Sequence, residues 1–369
     1  MTAVVGHNRT RELLRNAVER ELSEIFAAQT AAAEAYGSEF SHLWGLAAEH
    51  VLGGKLVRPV LMVEIFDALV SESAPEASIE RDSIIRIAAA IELLHYSFLL
   101  HDDVIDGDLV RRGRRNLIGA LLDDGSARGE CDQRGALHWA RTGGILMGDL
   151  LLAATHQIFA RVDLPHAVRI QMLDLLEHTI TESIAGEQLD VGLSDGLIAP
   201  DLSTVLTMSA HKTATYTFEL PMRAAAILAQ APQHLERSLT AAGYHLGLAF
   251  QLQDDLISTF GDPELHGKDP YSDLREGKQT AIISYARMTS AWPTVESEFG
   301  NPELTEKMGA RLRALLTECG AEKFVRGLVE EQTTALYEVL AGAGSAHSIV
   351  PGARRVLLAL AAELEERRS

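Results

Sequence analysis

The chain has 369 residues, 47% of them hydrophobic, enough for a large core in one big domain or two ordinary ones. Lys plus Arg number 33 against 52 Asp plus Glu, a net charge of −19, so bulk charge excludes nucleic acid and anionic membrane as expected partners, and an anionic ligand requires a local basic site. Two cysteines, Cys131 and Cys319, exclude a disulfide framework and zinc-type spacing. The N-terminus has no apolar core like that of a signal peptide, and no uncharged apolar run reaches about 18 residues, so a soluble cytoplasmic protein without a membrane span is expected.

Apolar residues at three-to-four spacing (Leu13, Leu14, Val18, Leu22, Ile25, Phe26) predict an amphipathic helix over 10–34. A second helix is expected over 38–52. Gly53-Gly54 breaks it, and Lys55-Leu56-Val57-Arg58-Pro59 starts a third. Lys55 and Arg58 stand three apart at that helix entrance, where backbone N–H groups favour an anion; a solvated pair is the plainer alternative. After a polar connection over 71–81, Asp82 can cap a long apolar helix. That helix ends in three carboxylates, Asp102, Asp103 and Asp106. Asp102 and Asp106, four apart, share a face with His95 two turns back, and Asp103 lies on its rim. Gly107 can end the helix. Arg111, Arg112, Arg114 and Arg115 follow at once.

Residues 107–135 read as a long polar surface loop. Helical patterns resume over 136–161 and 166–193, holding Gly148-Asp149 and Gly186-Glu187-Gln188-Leu189-Asp190. For Asp149 and Asp190 the plainer expectation is a cap or a hydrogen bond to a neighbouring helix rather than chemistry. A further helix over 202–229 carries His211-Lys212-Thr213, and Pro221 should kink it. Lys212, set in apolar surroundings, calls for an anion partner in the core, unless its stem snorkels to the surface. The helix over 233–260 ends in a second acidic cluster, Phe250-Gln251-Leu252-Gln253-Asp254-Asp255-Leu256-Ile257. The loop after it holds Lys268 and Lys278. Of the six lysines (Lys55, Lys212, Lys268, Lys278, Lys307, Lys323), the first four fall in these stretches. The remainder, to Ser369, reads as three or four scaffold helices joined at 292–302 and 342–351. No stretch alternates with period two, no nucleotide-type glycine loop occurs, and no repeat is found. The fold class is all-α, about ten or more helices of bundle type in one domain spanning 1–369.

Two acidic clusters at the ends of apolar helices could face each other across such a bundle. Asp102 and Asp106 with Asp254 would then bind several Mg²⁺ ions, since Mg²⁺ takes one or two carboxylates plus substrate phosphate oxygens. Lys55, Arg58, Arg111, Arg112, Lys212 and Lys268 supply more cationic charge than one diphosphate requires, which suggests two diphosphate sites. Metals and cations make a diphosphate a good leaving group, and apolar walls hold a hydrocarbon tail and a short-lived carbocation away from water. The chemistry implied is ionisation of an allylic diphosphate, with the acids as metal ligands rather than general acid and base. Any one motif could arise by chance among 52 acidic residues; the ordered conjunction of GKLVRP, His95, DDVID, RRG, HKT, FQLQDD and GK is specific.

That ordered set, from about Gly53 to Thr280, resembles the trans-isoprenyl diphosphate synthases, the head-to-tail polyprenyl synthetase family. The resemblance implies an isoprenoid-synthase-type helical bundle around a deep central cavity, usually a homodimer. It also implies condensation of isopentenyl diphosphate with an allylic diphosphate, with three Mg²⁺ ions expected per active site. Carried over residue by residue, Asp102 and Asp106 bind metal with Asp103 in support, and Asp254 binds metal with Asp255 in support. Lys55, Arg58, His95 and Arg112 hold isopentenyl diphosphate. Arg111, Lys212 with Thr213, Gln251 and Lys268 hold the allylic diphosphate. In the family the released diphosphate takes the proton that ends each condensation. One departure stands in the second motif, which reads DDLIS with Ser258 in the fifth place instead of an aspartate. The run DDLISTFGD also resembles the metal triad of class I terpene cyclases through Asp254, Ser258 and Asp262, but a cyclase has no use for GKLVRP with RRG. A regulatory subunit of a heteromeric synthase is a third alternative, opposed by the intact DDVID. In the family, residues four and five places before the first Asp floor the tail pocket. Here these are Phe98 and Ser97, with Leu94 and Ile91 deeper. The resulting expectation is geranylgeranyl diphosphate as product, with farnesyl diphosphate second.

Overall fold

A computed structural model describes residues 2–73, 79–111, 113–129, 132–261, 271–342 and 349–366, with the backbone alone for 2–8, 73 and 128. The described helices are α1 (Thr2–Ala33), α2 (Ser38–Val51), α3 (Val57–Ser73), α4 (Arg81–Asp106), α5 (Leu117–Arg128), α6 (Gln133–Arg161), α7 (His166–Ser194) and α8 (Leu202–Ser209). A π-helix (Ala210–Glu219) leads into α9 (Leu220–Leu228) and α10 (Gln233–Phe260). Then come α11 (Ser272–Glu276), α12 (Ala281–Arg287), α13 (Trp292–Glu296), α14 (Glu306–Glu318), α15 (Ala321–Ala341) and α16 (Pro351–Glu366). Extended structure among the described residues is limited to a hairpin, Val110–Arg111 (β1) antiparallel to Arg114–Arg115 (β2). The all-α expectation is met. Contacts gather the chain into two compact units, Met1–Leu176 with Ile227–Gln230, and Glu177–Ala226 with Ala231–Ser369.

In the first unit α4 is the core helix. From Ile87 to Leu94 every residue is buried, the pattern of a helix with no solvent face over that stretch. Ile84, Ile87, Leu93 and Leu94 are fully buried, and Ala88-Ala89-Ala90 lets neighbours approach closely. Its main neighbour is α6, which comes near through small residues. A Cβ on Gly144 would meet Ile118 and Val104, and one on Gly148 would strike the His101 ring. The Ser97 hydroxyl donates to the Gly148 carbonyl at 2.8 Å, and the Thr155 hydroxyl to that of Leu151 at 2.9 Å.

The region 107–135 is not the loop expected from its polar residues. The β-hairpin occupies its start, and α5 most of the rest. Asn116 caps α5, accepting from the Gly119 amide at 2.8 Å. Leu117, Ile118 and Leu121 are buried, and α5 lies against α6. Three apolar side chains on one short helical face outweigh the polar composition around them.

Among the described residues two helices, α4 and α6, are long and apolar enough to cross a membrane by length and composition. The apolar window of α4 is 78% buried within the fold, which accounts for it as a core helix. The window of α6 is only 33% buried, and Trp139, Ile145 and Leu146 are exposed on it.

In the second unit α10 carries the organising stripe. Leu235, Leu239, Ala242, Leu246, Ala249, Gln253, Leu256 and Phe260 recur at three and four and are all buried. The helix packs on the π-helix and on α15. A Cβ on Gly247 would fall on Ala214, and one on Gly243 would meet Glu219, so two glycines one turn apart let the π-helix lie against the α10 backbone. Leu274, Ile282, Ile283, Leu312, Leu316, Val325 and Val329 complete this core. The C-terminal region holds more helices than expected, because α11, α12 and α13 span five to seven residues and are too short to show a period.

The stretch 202–229 is helical throughout, but its irregularity precedes Pro221. The Leu220 amide donates to the Thr215 carbonyl five residues back, so a wide π-type turn runs into a proline that has no N–H to continue an α ladder.

Glu219 closes the π-helix and is buried. Burial first, then the charge of Glu182, pushes its carboxyl up to about 7 against the opposing pull of Arg223. Between the ordinary carboxylate range and pH 7 the folded chain therefore holds a proton that the unfolded chain has lost. Stability falls as pH rises through that window, and the penalty is complete above about pH 7. Glu219→Gln, which mimics the protonated form, should be roughly 1–3 kcal/mol more stable than the parent at pH 8 and nearly equal to it at pH 5, measured by chemical denaturation. An equal difference at both pH values would contradict this.

Candidate active site

The C-terminal end of α4 sets out the first group of acids. Gly107 takes a left-handed conformation (φ 76°) and caps the helix, and the chain turns at Gly113 (φ 72°) to bring Arg111 back beside the carboxylates. Arg111 donates through Nε (3.2 Å) and an Nη (2.6 Å) to Asp103 Oδ1, and to Asp102 Oδ2 at 3.3 Å. Asp103 is buried. Burial pushes its carboxyl up, and Arg111 opposes that shift; in return the charges of Asp103 and Asp102 raise Arg111 against its own burial. The three acids thus differ in place: Asp103 is inside and committed to Arg111, Asp102 is half-buried, and Asp106 is exposed one turn on. Asp102 and Asp106 offer hard oxygen donors from one helix face, a donor set that fits Mg²⁺. The Tyr96 hydroxyl, buried seven residues before Asp103, is raised by burial and then by the Asp103 charge.

The same helix places His95, Ser97, Phe98 and Leu94. His95 and Phe98 are half-buried, with Phe98 one turn before Asp102 on its face. Leu94 is fully buried, and Ser97 is turned to α6 through its bond to Gly148. Lys55 is exposed just ahead of α3, and Arg58 is the second residue of that helix. Between them Leu56 adopts φ 49° while 2% exposed. A left-handed leucine costs on the order of 1–3 kcal/mol and persists only where its surroundings fix it; burial of its side chain does so here. That backbone sets the turn from which Lys55 and Arg58 project. Arg112 lies outside the described residues.

In the second unit Lys212 and Thr213 sit on the π-helix. The Lys212 ammonium lies 2.6 Å from Asp190 Oδ2 and 2.9 Å from Glu187 Oε2, both on α7. The anion partner expected of Lys212 is therefore a pair of carboxylates. Asp190 does hydrogen-bond a neighbouring helix, as its plainer expectation held, but to the lysine of the HKT motif. Glu187 was not singled out; its spacing of three from Asp190 was the available signal. The Thr213 hydroxyl donates to Gln251 Oε1 (2.8 Å), and Gln251 Nε2 donates to Asp255 Oδ1 (2.8 Å). Asp255 is buried, and burial, with Asp273 next, pushes its carboxyl up to about 8 despite the Gln251 bond. Asp254, beside it, is half-buried, and Ser258 is buried. The structure brings Lys212, Thr213, Gln251 and Asp255 into two linked sets of contacts. Lys278 pairs with Glu276 at 3.1 Å. Lys268 and Asp262 lie outside the described residues.

The first unit thus carries an acid motif at the end of α4 with Arg111 on its inner carboxylate, and the second carries one at the end of α10, tied through Gln251 to Thr213, the neighbour of Lys212. A family model described as polyprenyl synthetase matches residues 42–302, a span that contains both motifs. A (2E,6E)-farnesyl diphosphate synthase of Mycobacterium tuberculosis is 32% identical over 275 residues, covering 72% of this chain and 67% of that one. A geranylgeranyl diphosphate synthase of Methanosarcina mazei is 29% identical over 279 residues, covering 75% and 76%. Among solved structures, a geranylgeranyl pyrophosphate synthase from Corynebacterium glutamicum, complexed with isoprenyl diphosphate and magnesium, is similar with a TM-score of 0.87. It is 27% identical, with 96% of this chain and 99% of that one covered.

Proposed function

The chain belongs to the polyprenyl synthetase family and is a prenyltransferase, a short-chain trans-prenyl diphosphate synthase, and on that premise we propose that its product is geranylgeranyl diphosphate. Its substrates are isopentenyl diphosphate and an allylic diphosphate. The observation that carries the reading is α4 itself, an apolar helix that ends in Asp102 and Asp106 with Arg111 pinning the acid between them.

Asp102, Asp106 and Asp254 would hold Mg²⁺, three ions per active site in this reading, and the metal would supply charge neutralisation to a departing diphosphate. Asp103 and Asp255 support them from buried positions, one bound to Arg111 and the other to Gln251. Lys212, Thr213, Gln251, Arg111 and Lys268 hold the allylic diphosphate; Lys55, Arg58, His95 and Arg112 hold isopentenyl diphosphate. The apolar side chains of α4 keep water from the cation formed on ionisation.

The product length rests on the residues beneath Asp102. Phe98, one turn down, floors the tail pocket, Leu94 lies deeper, and Ser97 is small enough to keep α6 close. Relatives named as farnesyl and as geranylgeranyl synthases both match, so the floor decides. Incubation with Mg²⁺, isopentenyl diphosphate and, separately, five-, ten- and fifteen-carbon allylic diphosphates should give the twenty-carbon product as the longest major species. Phe98→Ala should lengthen it; an unchanged product would remove Phe98 from the pocket. Asp102→Ala should lower turnover by roughly two orders of magnitude with an unaltered circular dichroism spectrum, the loss expected when charge stabilisation of a leaving group is removed. Near-normal turnover would refute the metal assignment.

We propose a cytoplasmic homodimer, and the exposed Trp139, Ile145 and Leu146 of α6 supply an apolar face for its interface. Light scattering without detergent should read twice the 40.1 kDa of the chain. A monomeric mass would overturn the dimer.

A further inference from the structure

The turn that leads into α3 carries Lys55 on a backbone that its own sequence leaves loose. Gly53 stands at φ 83°, Gly54 follows it, and glycine has more backbone freedom to lose than any other residue. After Lys55 the chain is held, because Leu56 is buried at φ 49° and Arg58 already lies on the helix. The restraint before Lys55 comes from another element. An Nη of Arg15, on α1, donates to the Gly54 carbonyl at 3.2 Å across a separation of 39 residues. A peptide unit is planar and trans, so a donor that fixes the Gly54 carbonyl also fixes the Lys55 amide N–H, which points the opposite way. The bond therefore sets the direction in which the chain enters Lys55.

Arg15 can act from α1 because that helix is itself anchored. Leu14 and Val18 beside it are buried. Arg11, one turn earlier, pairs with the buried Glu64 of α3 at 3.2 Å, and Glu21 pairs with Arg86 of α4 at 3.1 Å. Phe26 meets the Trp44 ring of α2 edge to face, with centroids 5.9 Å apart. A planar guanidinium on a fixed helix is a preorganised donor. Contact with neighbours does not replace it, since a Cβ on Gly54 would meet nothing nearer than 3.8 Å. Arg15 is exposed, so its truncation opens no cavity.

We infer that Arg15 is a positioning residue for Lys55: by holding the Gly54 carbonyl it aims the turn that presents Lys55 to isopentenyl diphosphate. This rests on the reading that Lys55 holds that substrate. The groups read as holding the allylic diphosphate stand on other elements, so the effect of Arg15 belongs to one substrate of the two.

Steady-state kinetics on the full-length enzyme, with each substrate varied in turn, tests this. Arg15→Ala should raise the KM for isopentenyl diphosphate about tenfold and leave kcat and the allylic KM within about twofold of the parent, the pattern of lost binding without lost chemistry. In a Lys55→Ala background the same substitution should change the isopentenyl diphosphate KM by less than about twofold, since residues that act through one another are not additive. Arg15→Lys keeps a donor on an unoriented stem and should raise that KM about threefold. An isopentenyl diphosphate KM unchanged by Arg15→Ala would overturn the inference, and so would an equal rise in both KM values. A full Arg15→Ala effect in the Lys55→Ala background would overturn it as well, because Arg15 would then act independently of the lysine. Should Arg15→Ala not fold, Arg15→Lys carries the test, and a parental isopentenyl diphosphate KM refutes the role. A Lys55→Ala enzyme with parental isopentenyl diphosphate KM would instead remove the underlying assignment of Lys55.

Discussion

The first unit depends on the ion pair between Asp103 and Arg111. An acidic motif at the end of a core helix puts one of its carboxylates inside, and a buried carboxylate is costly unless it is paired and hydrogen-bonded. Arg111 meets that need with two nitrogens on one oxygen and reaches Asp102 as well. The local chain is shaped to deliver it. Gly107 turns the end of α4, Gly113 turns the hairpin, and Asn116 bonds the Asp108 carbonyl at 2.8 Å while capping α5. The motif DDVID and the Arg111 that follows it are therefore one structural device. Its inner acid is neutralised, and its outer two sit on a rigid helix where metal oxygens are wanted.

The second unit meets the opposite requirement, a half-buried cation held between carboxylates. Its solution begins with backbone geometry. A ten-residue π-helix widens the turns on which Lys212 and Thr213 sit, and glycines at 186, 243 and 247 let α7 and α10 close on it. Substitution of any of the three would push directly on the strand of helix that bears the lysine. Gln251 links Thr213 on one side to Asp255 on the other, so the second acid motif is tied to the HKT motif through a single amide.

Much of this was legible in the sequence, for a physical reason. The helix period is local, so the four-residue spacing of Asp102 and Asp106, and the order of the basic motifs, survive without knowledge of tertiary contacts. What was not legible depended on contacts remote in sequence. The helix α5 hid within polar residues because its apolar side is only three side chains wide. The π-helix leaves no trace in hydrophobic spacing, and Pro221 drew attention to a point after the distortion. Asp190 looked like an ordinary interhelical acid, since nothing near it in sequence shows that its partner is Lys212, 22 residues on. The left-handed Leu56 was likewise invisible: glycine is the usual residue for that conformation, and two glycines stood just before it.

Arg111 and Lys212 answer the same demand in different ways, and the difference follows from their side chains. A guanidinium is a planar fork whose geometry is fixed once two of its nitrogens are engaged, so one carboxylate suffices to orient Arg111. An ammonium is a point charge on a flexible stem and specifies no direction of its own. Orienting it takes a second acceptor at an angle to the first, and α7 provides Glu187 and Asp190 three residues apart for that purpose.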